Sequence, residues 1–180
     1  MTGRTETKQM TERANAVTFK GKPMTLVGPE IKVGDRSPHF KLVGHDLADI
    51  ECKSFHGRVR TLSVAPSLDT PVCATQTRRF NKEAADLAED VVILSVSLDL
   101  PFALKRFCGA EGIERVITAS DYRYRSFGET YGVLIKELGL LTRAVFVIDL
   151  DDEVVHAEYV PEVTSEPDYA AALKAVKAAL

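Results

Sequence analysis

Apolar and polar positions change rhythm several times along the chain. Alternation at residues 17–19, and more weakly at 24–27, brackets Lys20-Gly21-Lys22-Pro23 and predicts a small N-terminal β-hairpin. Residues 1–15 hold nothing that can build a core and read as a flexible tail. A loop rich in Gly and Pro leads to a short strand near 40–43. A strand is predicted over 61–65, ended by Pro66. Residues 72–87 carry helical spacing, with Cys73, Thr77, Phe80, Ala84 and Leu87 on one stripe. Residues 91–98 form a near-continuous apolar run, the pattern of a strand covered on both faces. A short helix is predicted over 102–108, opened by Pro101 and closed by Gly109, and a short strand over 116–119. Strands 144–148 and 154–159 flank an acidic turn and predict a hairpin. A helix over 167–180 closes the chain, its buried stripe Tyr169, Leu173, Val176 and Leu180.

The order is a βαβα unit followed by a ββα unit. Parallel strands with crossover helices, joined to an antiparallel hairpin, make an α/β fold with a mixed central sheet flanked by helices. That arrangement suits a thioredoxin-like fold, with one domain over residues 16–180.

Composition narrows the classes. The chain has 180 residues, 45% hydrophobic and 27% charged, which fits one soluble domain with a real core. A net charge of -3 gives no electrostatic reason to expect nucleic acid or an anionic membrane as partner. No apolar stretch nears the roughly 20 residues of a membrane span, and the N-terminus lacks the apolar core of a secretory signal. A cytoplasmic location is therefore expected. In that reducing compartment a disulfide among Cys52, Cys73 and Cys108 is more often catalytic or redox-sensing than structural. His39, His45, His56 and His156 show no ligand spacing, and no Gly-rich phosphate loop or Ser-His-Asp arrangement appears. Neither a metal nor an organic cofactor is expected.

One segment carries chemistry. Pro66-Ser67-Leu68-Asp69-Thr70-Pro71-Val72-Cys73 leaves the C-terminal end of a buried strand and opens a helix, where open α/β sheets place their sites. Pro71 suits the first helical position, so Thr70 is the N-cap and Cys73 the third residue. The free amides and the helix dipole there favour a thiolate, the reactive form of cysteine. Against this stands the commoner role of a helix-stripe cysteine as core. Position alone leaves those readings about even, and does not separate peroxide chemistry from thiol exchange.

Pro66-x-x-x-Thr70-x-x-Cys73 resembles the active-site motif of the peroxiredoxins, and most closely their bacterial thiol peroxidase branch of atypical two-cysteine type. The likeness continues in Asp99-Leu100-Pro101-Phe102-Ala103 and in Arg106-Phe107-Cys108-Gly109-Ala110-Glu111-Gly112. It returns in Arg143-Ala144-Val145-Phe146-Val147-Ile148-Asp149 and in Glu166-Pro167-Asp168-Tyr169, and covers residues 17–180. Pro71 departs from relatives that carry Gly there. The resemblance implies that Cys73 is the peroxidatic cysteine and Cys108 the resolving cysteine. By the same resemblance Pro66 shields the thiolate, while Thr70 and Arg143 orient a hydroperoxide. It implies thioredoxin as reductant, a homodimer, and a role in antioxidant defence. It leaves Cys52 as an incidental thiol on a short strand or turn.

On that reading, Cys73 opens one helix and Cys108 closes the next. Cys108 lies about 10 Å down its helix at ~1.5 Å per residue. A disulfide needs Cα atoms within about 7 Å, so local opening around both cysteines is expected in each cycle. Two other classes remain in view. A disulfide oxidoreductase wants a CxxC pair, and the chain has none. A redox-sensing binding protein would consume peroxide only slowly.

Overall fold

The computed structural model describes residues 10–84 and 87–180. Residues 1–9, most of the segment read as a tail, lie outside them. The N-terminal hairpin is longer than its alternation suggests: β1 (Glu12–Phe19) pairs antiparallel with β2 (Lys22–Val27). Residues 12–15, expected in the tail, therefore belong to a strand. Pairing rather than burial holds them. The register shifts between Arg13 and Val17, Asn15 takes a φ of 56°, and the Arg13 guanidinium donates to the carbonyls of Gly28 and Gly132. No hydropathy pattern records such contacts.

The chain continues through β3 (Lys41–Val43), β4 (Asp49–Glu51), a 3₁₀ turn at Cys52–Phe55, β5 (Val59–Val64) and α1 (Pro71–Glu83). Then come β6 (Val91–Ser97), α2 (Pro101–Glu111), β7 (Val116–Ser120), α3 (Ser126–Thr130), β8 (Leu134–Ile135) and β9 (Leu140–Leu141). The hairpin β10 (Ala144–Ile148) and β11 (Val154–Tyr159) and the helix α4 (Tyr169–Ala178) complete it.

Seven strands form the central sheet in the order β11-β10-β5-β6-β7-β3-β4. The β5–β6 and β6–β7 pairs are parallel and the others antiparallel, so the expected mixed sheet is present. A smaller sheet runs β1-β2-β8-β9. Side chains alternate across β10 as a two-residue period requires. Val145 and Val147 pack with Phe80 of α1 and with Tyr169 and Val176 of α4. Phe146 and Ile148 point the other way, into a core with Leu62, Leu94, Phe127 and Tyr131.

Several boundaries differ from the sequence reading. α1 ends at Glu83, short of Leu87. Gly109 does not close α2; the helix runs to Glu111 and stops at Gly112, whose φ of 64° is the left-handed conformation glycine adopts without strain. A glycine inside a helix costs only ~1 kcal/mol, which packing easily offsets. On α4, Ala172 joins Tyr169 and Val176 in the buried stripe, while Leu180 is exposed. The helix begins two residues after Pro167, where the Asp168 carboxylate caps it by accepting from the Ala171 amide at 2.9 Å. α3, β4, β8 and β9 are too short to leave a periodic signal. Buried Asp121 fixes α3 instead, accepting from the amides of Phe127 and Gly128 at 3.2 and 2.8 Å. Among the described residues, no helix is long and apolar enough to cross a membrane.

Candidate active site

The loop that follows β5 is held to the neighbouring strand before it reaches α1. Asp99, just past β6, accepts from the Ser67 hydroxyl at 2.7 Å, the Leu68 amide at 2.7 Å and the Ser97 hydroxyl at 2.9 Å. This carboxylate latch sets where the helix starts. Thr70 is the N-cap, Pro71 the first helical residue and Cys73 the third, as the sequence implies. The Thr70 hydroxyl, however, does not cap the helix. It donates to the Ser67 carbonyl at 3.0 Å, so it leaves the first-turn amides to another acceptor.

Cys73 is buried against Ala65, Leu68 and Leu104. Its sulfur accepts a hydrogen bond from Arg143 Nη2 at 3.2 Å. Arg143, immediately before β10, is 2% exposed rather than solvated. Its Nε donates to the Val163 carbonyl at 2.9 Å, and its Nη1 donates to the side-chain oxygen of Gln76. Gln76 in turn donates to the Ser63 hydroxyl of β5 at 2.7 Å. Among the described residues, no carboxylate forms an ion pair with Arg143. A buried guanidinium without a counter-charge costs several kcal/mol. Here the group facing it is the Cys73 sulfur, and a thiolate at that place supplies the missing negative charge.

A cavity of about 310 Å³ opens on this pair. Pro66, Thr70, Cys73 and Arg143 all line it, so the structure gathers four of the five residues singled out in the sequence. Val72 and Val163 add apolar wall. Phe19 and Lys20, from the tip of the β1–β2 hairpin, complete the rim. Neither they nor Gln76 came from sequence reasoning. Gln76 had a signal, since it lies three residues after Cys73 on the same helix face. The hairpin tip had none, because only the tertiary fold carries it to the loop after β5.

Cys108 stands apart. It lies in the last turn of α2, half-buried, with its sulfur 3.2 Å from the Thr118 hydroxyl of β7. Burial pushes its thiol up from the usual range, and the Thr118 hydrogen bond opposes this. Cys73 follows β5 and Thr118 lies on β7, two strands across, which is about 10 Å at the usual strand spacing. Both thiols are free. Cys52 sits on neither strand nor plain turn, but in the 3₁₀ segment, buried, with its sulfur 3.1 Å from His39 Nδ1. Among the described residues no three His, Cys, Asp or Glu side chains converge as a metal site would require.

Several known proteins are similar to this chain. The Redoxin family model matches residues 32–173. A thiol peroxidase of Halalkalibacterium halodurans is 54% identical over 165 residues, covering 92% of this chain and 99% of the relative. A thiol peroxidase of Bacillus subtilis is 53% identical over 162 residues, covering 90% and 96%. Among solved structures, a peroxiredoxin-like protein from Aquifex aeolicus superposes with a TM-score of 0.87 at 45% identity, covering 95% of this chain and 99% of that one. A thiol peroxidase from Chromobacterium violaceum, at 23% identity, shares the fold with a TM-score of 0.80 over 90% of this chain and 95% of that one.

Proposed function

Because the chain belongs to the Redoxin family, among the thiol peroxidases of the peroxiredoxin group, it reduces peroxides at the expense of thiols, and we propose that Cys73 is the sulfur that does so. The observation that carries the assignment is the buried Arg143 guanidinium, 3.2 Å from Cys73 Sγ and, among the described residues, without a carboxylate partner.

In this reading a hydroperoxide enters the cavity with one oxygen toward Cys73. Arg143 donates to the peroxide oxygens. The Thr70 hydroxyl, whose O–H donates a hydrogen bond to the Ser67 carbonyl, keeps its lone pairs for the peroxide O–H. Pro66 excludes water and presents no N–H to compete. The thiolate attacks the near oxygen, the O–O bond breaks, and the far oxygen leaves as an alkoxide or hydroxide that takes a proton from solvent to give alcohol or water. Cys73 is then a sulfenic acid. Cys108 condenses with it, releasing water and forming an intramolecular disulfide. Since Cys73 follows β5 and Cys108 packs on β7, two strands across, the last turn of α2 and the start of α1 must loosen for this step. Thioredoxin then restores the dithiol. Cys73 is the better leaving sulfur, which directs the reductant to Cys108. The apolar walls, Phe19, Val72 and Val163, favour organic hydroperoxides over hydrogen peroxide. Thioredoxin as reductant and a homodimeric state rest on the family resemblance, and a cytoplasmic location on the sequence pattern. The role in antioxidant defence also rests on the resemblance.

The test is turnover of cumene hydroperoxide with thioredoxin, its reductase and NADPH. A Cys73→Ser variant is expected to lose all peroxide consumption, and Cys108→Ser to complete one oxidation without cycling. Full activity in Cys73→Ser would refute the nucleophile assignment. A disulfide to Cys52 in mass maps of oxidised protein would refute Cys108 as the resolving residue.

A further inference from the structure

A second cavity with titratable walls lies away from Cys73. A cleft of about 530 Å³ lies between the β3–β4 turn and the end of α2, and Cys108, Thr118 and His45 border it. His45 follows β3 on a turn closed by two backbone hydrogen bonds, Gly44 amide to Ala48 carbonyl at 2.9 Å and Leu47 amide to Gly44 carbonyl at 3.0 Å. The Asp46 carboxylate braces the same turn by accepting from the Ala48 amide at 3.0 Å. This holds the imidazole in place. Its Nε2 is in hydrogen-bond contact with the Thr118 hydroxyl, and that hydroxyl is also 3.2 Å from Cys108 Sγ. The three groups lie in continuous contact, and with the His45 proton on Nδ1 the chain can run from Cys108 S–H to Thr118 Oγ1 and from Thr118 O–H to His45 Nε2. The steps described so far use neither Thr118 nor His45.

We propose that His45, acting through the Thr118 hydroxyl, is the proton acceptor for Cys108 when the disulfide forms. The inference rests on Cys108 being the resolving cysteine. While Cys108 is still seated against Thr118, its proton passes to Thr118 Oγ1 as the Thr118 proton passes to His45 Nε2, and the thiolate then travels as the turn opens and attacks the sulfenic sulfur of Cys73. The S–S bond forms and the Cys73 S–O bond breaks. The departing hydroxide takes up a proton and leaves as water, and the imidazolium returns its proton to solvent. Cys73 sulfur is reduced by one step and Cys108 sulfur oxidised by one, so electrons balance without a further reagent. In the reverse direction, His45 re-protonates Cys108 when the reductant leaves it as a thiolate.

Electrostatics set the starting protonation states and the cost of the transfer. Burial, assisted by the charge of Lys105 on α2 and opposed by Asp46, pushes His45 below its usual value, so the imidazole is neutral and free to accept a proton, while burial of the Cys108 thiol pushes it up and makes the transfer uphill. The other charged groups at the cleft are Asp49 and Glu114. Cys108 without its proton would be a buried anion in the last turn of α2, where the helix dipole disfavours it. Its own carbonyl already accepts from the Gly112 and Ile113 amides. Proton loss in place therefore weakens the very turn that must open for Cys108 to travel.

The test follows each half-reaction separately. Protein is mixed with one equivalent of hydrogen peroxide, quenched at intervals with acid and a thiol-alkylating reagent, and read by mass spectrometry. In His45→Asn, which keeps a hydrogen bond to Thr118 but has no base, disulfide formation is expected to slow roughly tenfold at pH 7. That is less than the ~100-fold typical of a base in direct contact. The slow rate should climb with pH as hydroxide replaces the imidazole, while Cys73 oxidation, the check on folding, keeps its rate. Thr118→Val should reproduce the defect and Thr118→Ser should restore the rate. A wild-type rate and pH profile for disulfide formation in His45→Asn overturns the relay alone. Absence of a Cys73–Cys108 link in the wild-type protein overturns the assignment of Cys108, and the relay with it.

Discussion

Arg143→Lys isolates what the guanidinium contributes beyond its charge. Arg143 spends three separate donors at once, on the Val163 carbonyl, Gln76 and Cys73 Sγ. A lysine ammonium keeps the positive charge but, as a point donor on a flexible stem, it cannot span the three acceptors. It loses the directed bond to sulfur, a charge-assisted hydrogen bond worth ~1.5–3 kcal/mol. At 1.36 kcal/mol per factor of ten, the Cys73–peroxide step should slow by about 10- to 100-fold. Arg143→Leu, which also removes the charge, should cost about 100- to 1000-fold, the range for a lost oxyanion-type donor. The chain has no tryptophan, so the rate is best read by quenched alkylation and mass spectrometry of Cys73 at pH 7. Urea unfolding provides the stability control. An Arg143→Lys variant that folds and oxidises Cys73 within twofold of wild type would show that charge alone suffices, and the fork geometry would carry no catalytic meaning.

Three further outcomes follow from the structure. Asp99→Ala removes the acceptor for Ser67 and Leu68, so the loop before α1 should lose its fixed register. Peroxidase turnover should fall about tenfold for ~1.4 kcal/mol of lost positioning, and unchanged turnover would discount the latch. Phe19→Ala removes apolar wall at the cavity mouth, so KM for cumene hydroperoxide should rise several-fold while that for hydrogen peroxide holds; equal shifts would show that the hairpin tip does not select substrate. Asp121, buried at the start of α3, is pushed up to about 6, chiefly by burial, with the Phe127 and Gly128 amides pulling down. A carboxyl raised in the folded state stabilises it below the unfolded value near 3.8, and that contribution is lost as pH rises through about 6. The stability of Asp121→Asn relative to wild type, from urea midpoints, should therefore increase between pH 4 and pH 7; a constant or shrinking difference would contradict the burial argument.

Much of the sheet was legible because its signals are local. The apolar run at β6, the paired strands β10 and β11, and Pro71 opening α1 each follow from side-chain period or backbone restriction within a few residues. Cys73 was placed at the third helical position for the same reason. The short elements were not legible, since α3, β8 and β9 are two to five residues long and depend on partners far along the chain. Gly109 misled, because a glycine reads as a stop while helix packing can carry the chain through it to Gly112.

The sequence by itself determined a thioredoxin-like α/β chain and a reactive cysteine at a helix start, and the family motif supplied its chemistry and named Arg143. Tertiary structure decided how Arg143 reaches Cys73 across 70 residues, with no carboxylate among the described residues to neutralise it. It also placed Gln76 behind the guanidinium, Phe19 over the cavity, and His45 and Thr118 beside Cys108. These relations join strands and turns distant in sequence. Spacing along a chain encodes contacts within one helix or strand, whereas the electrostatics of a buried sulfur depend on whatever the fold packs against it.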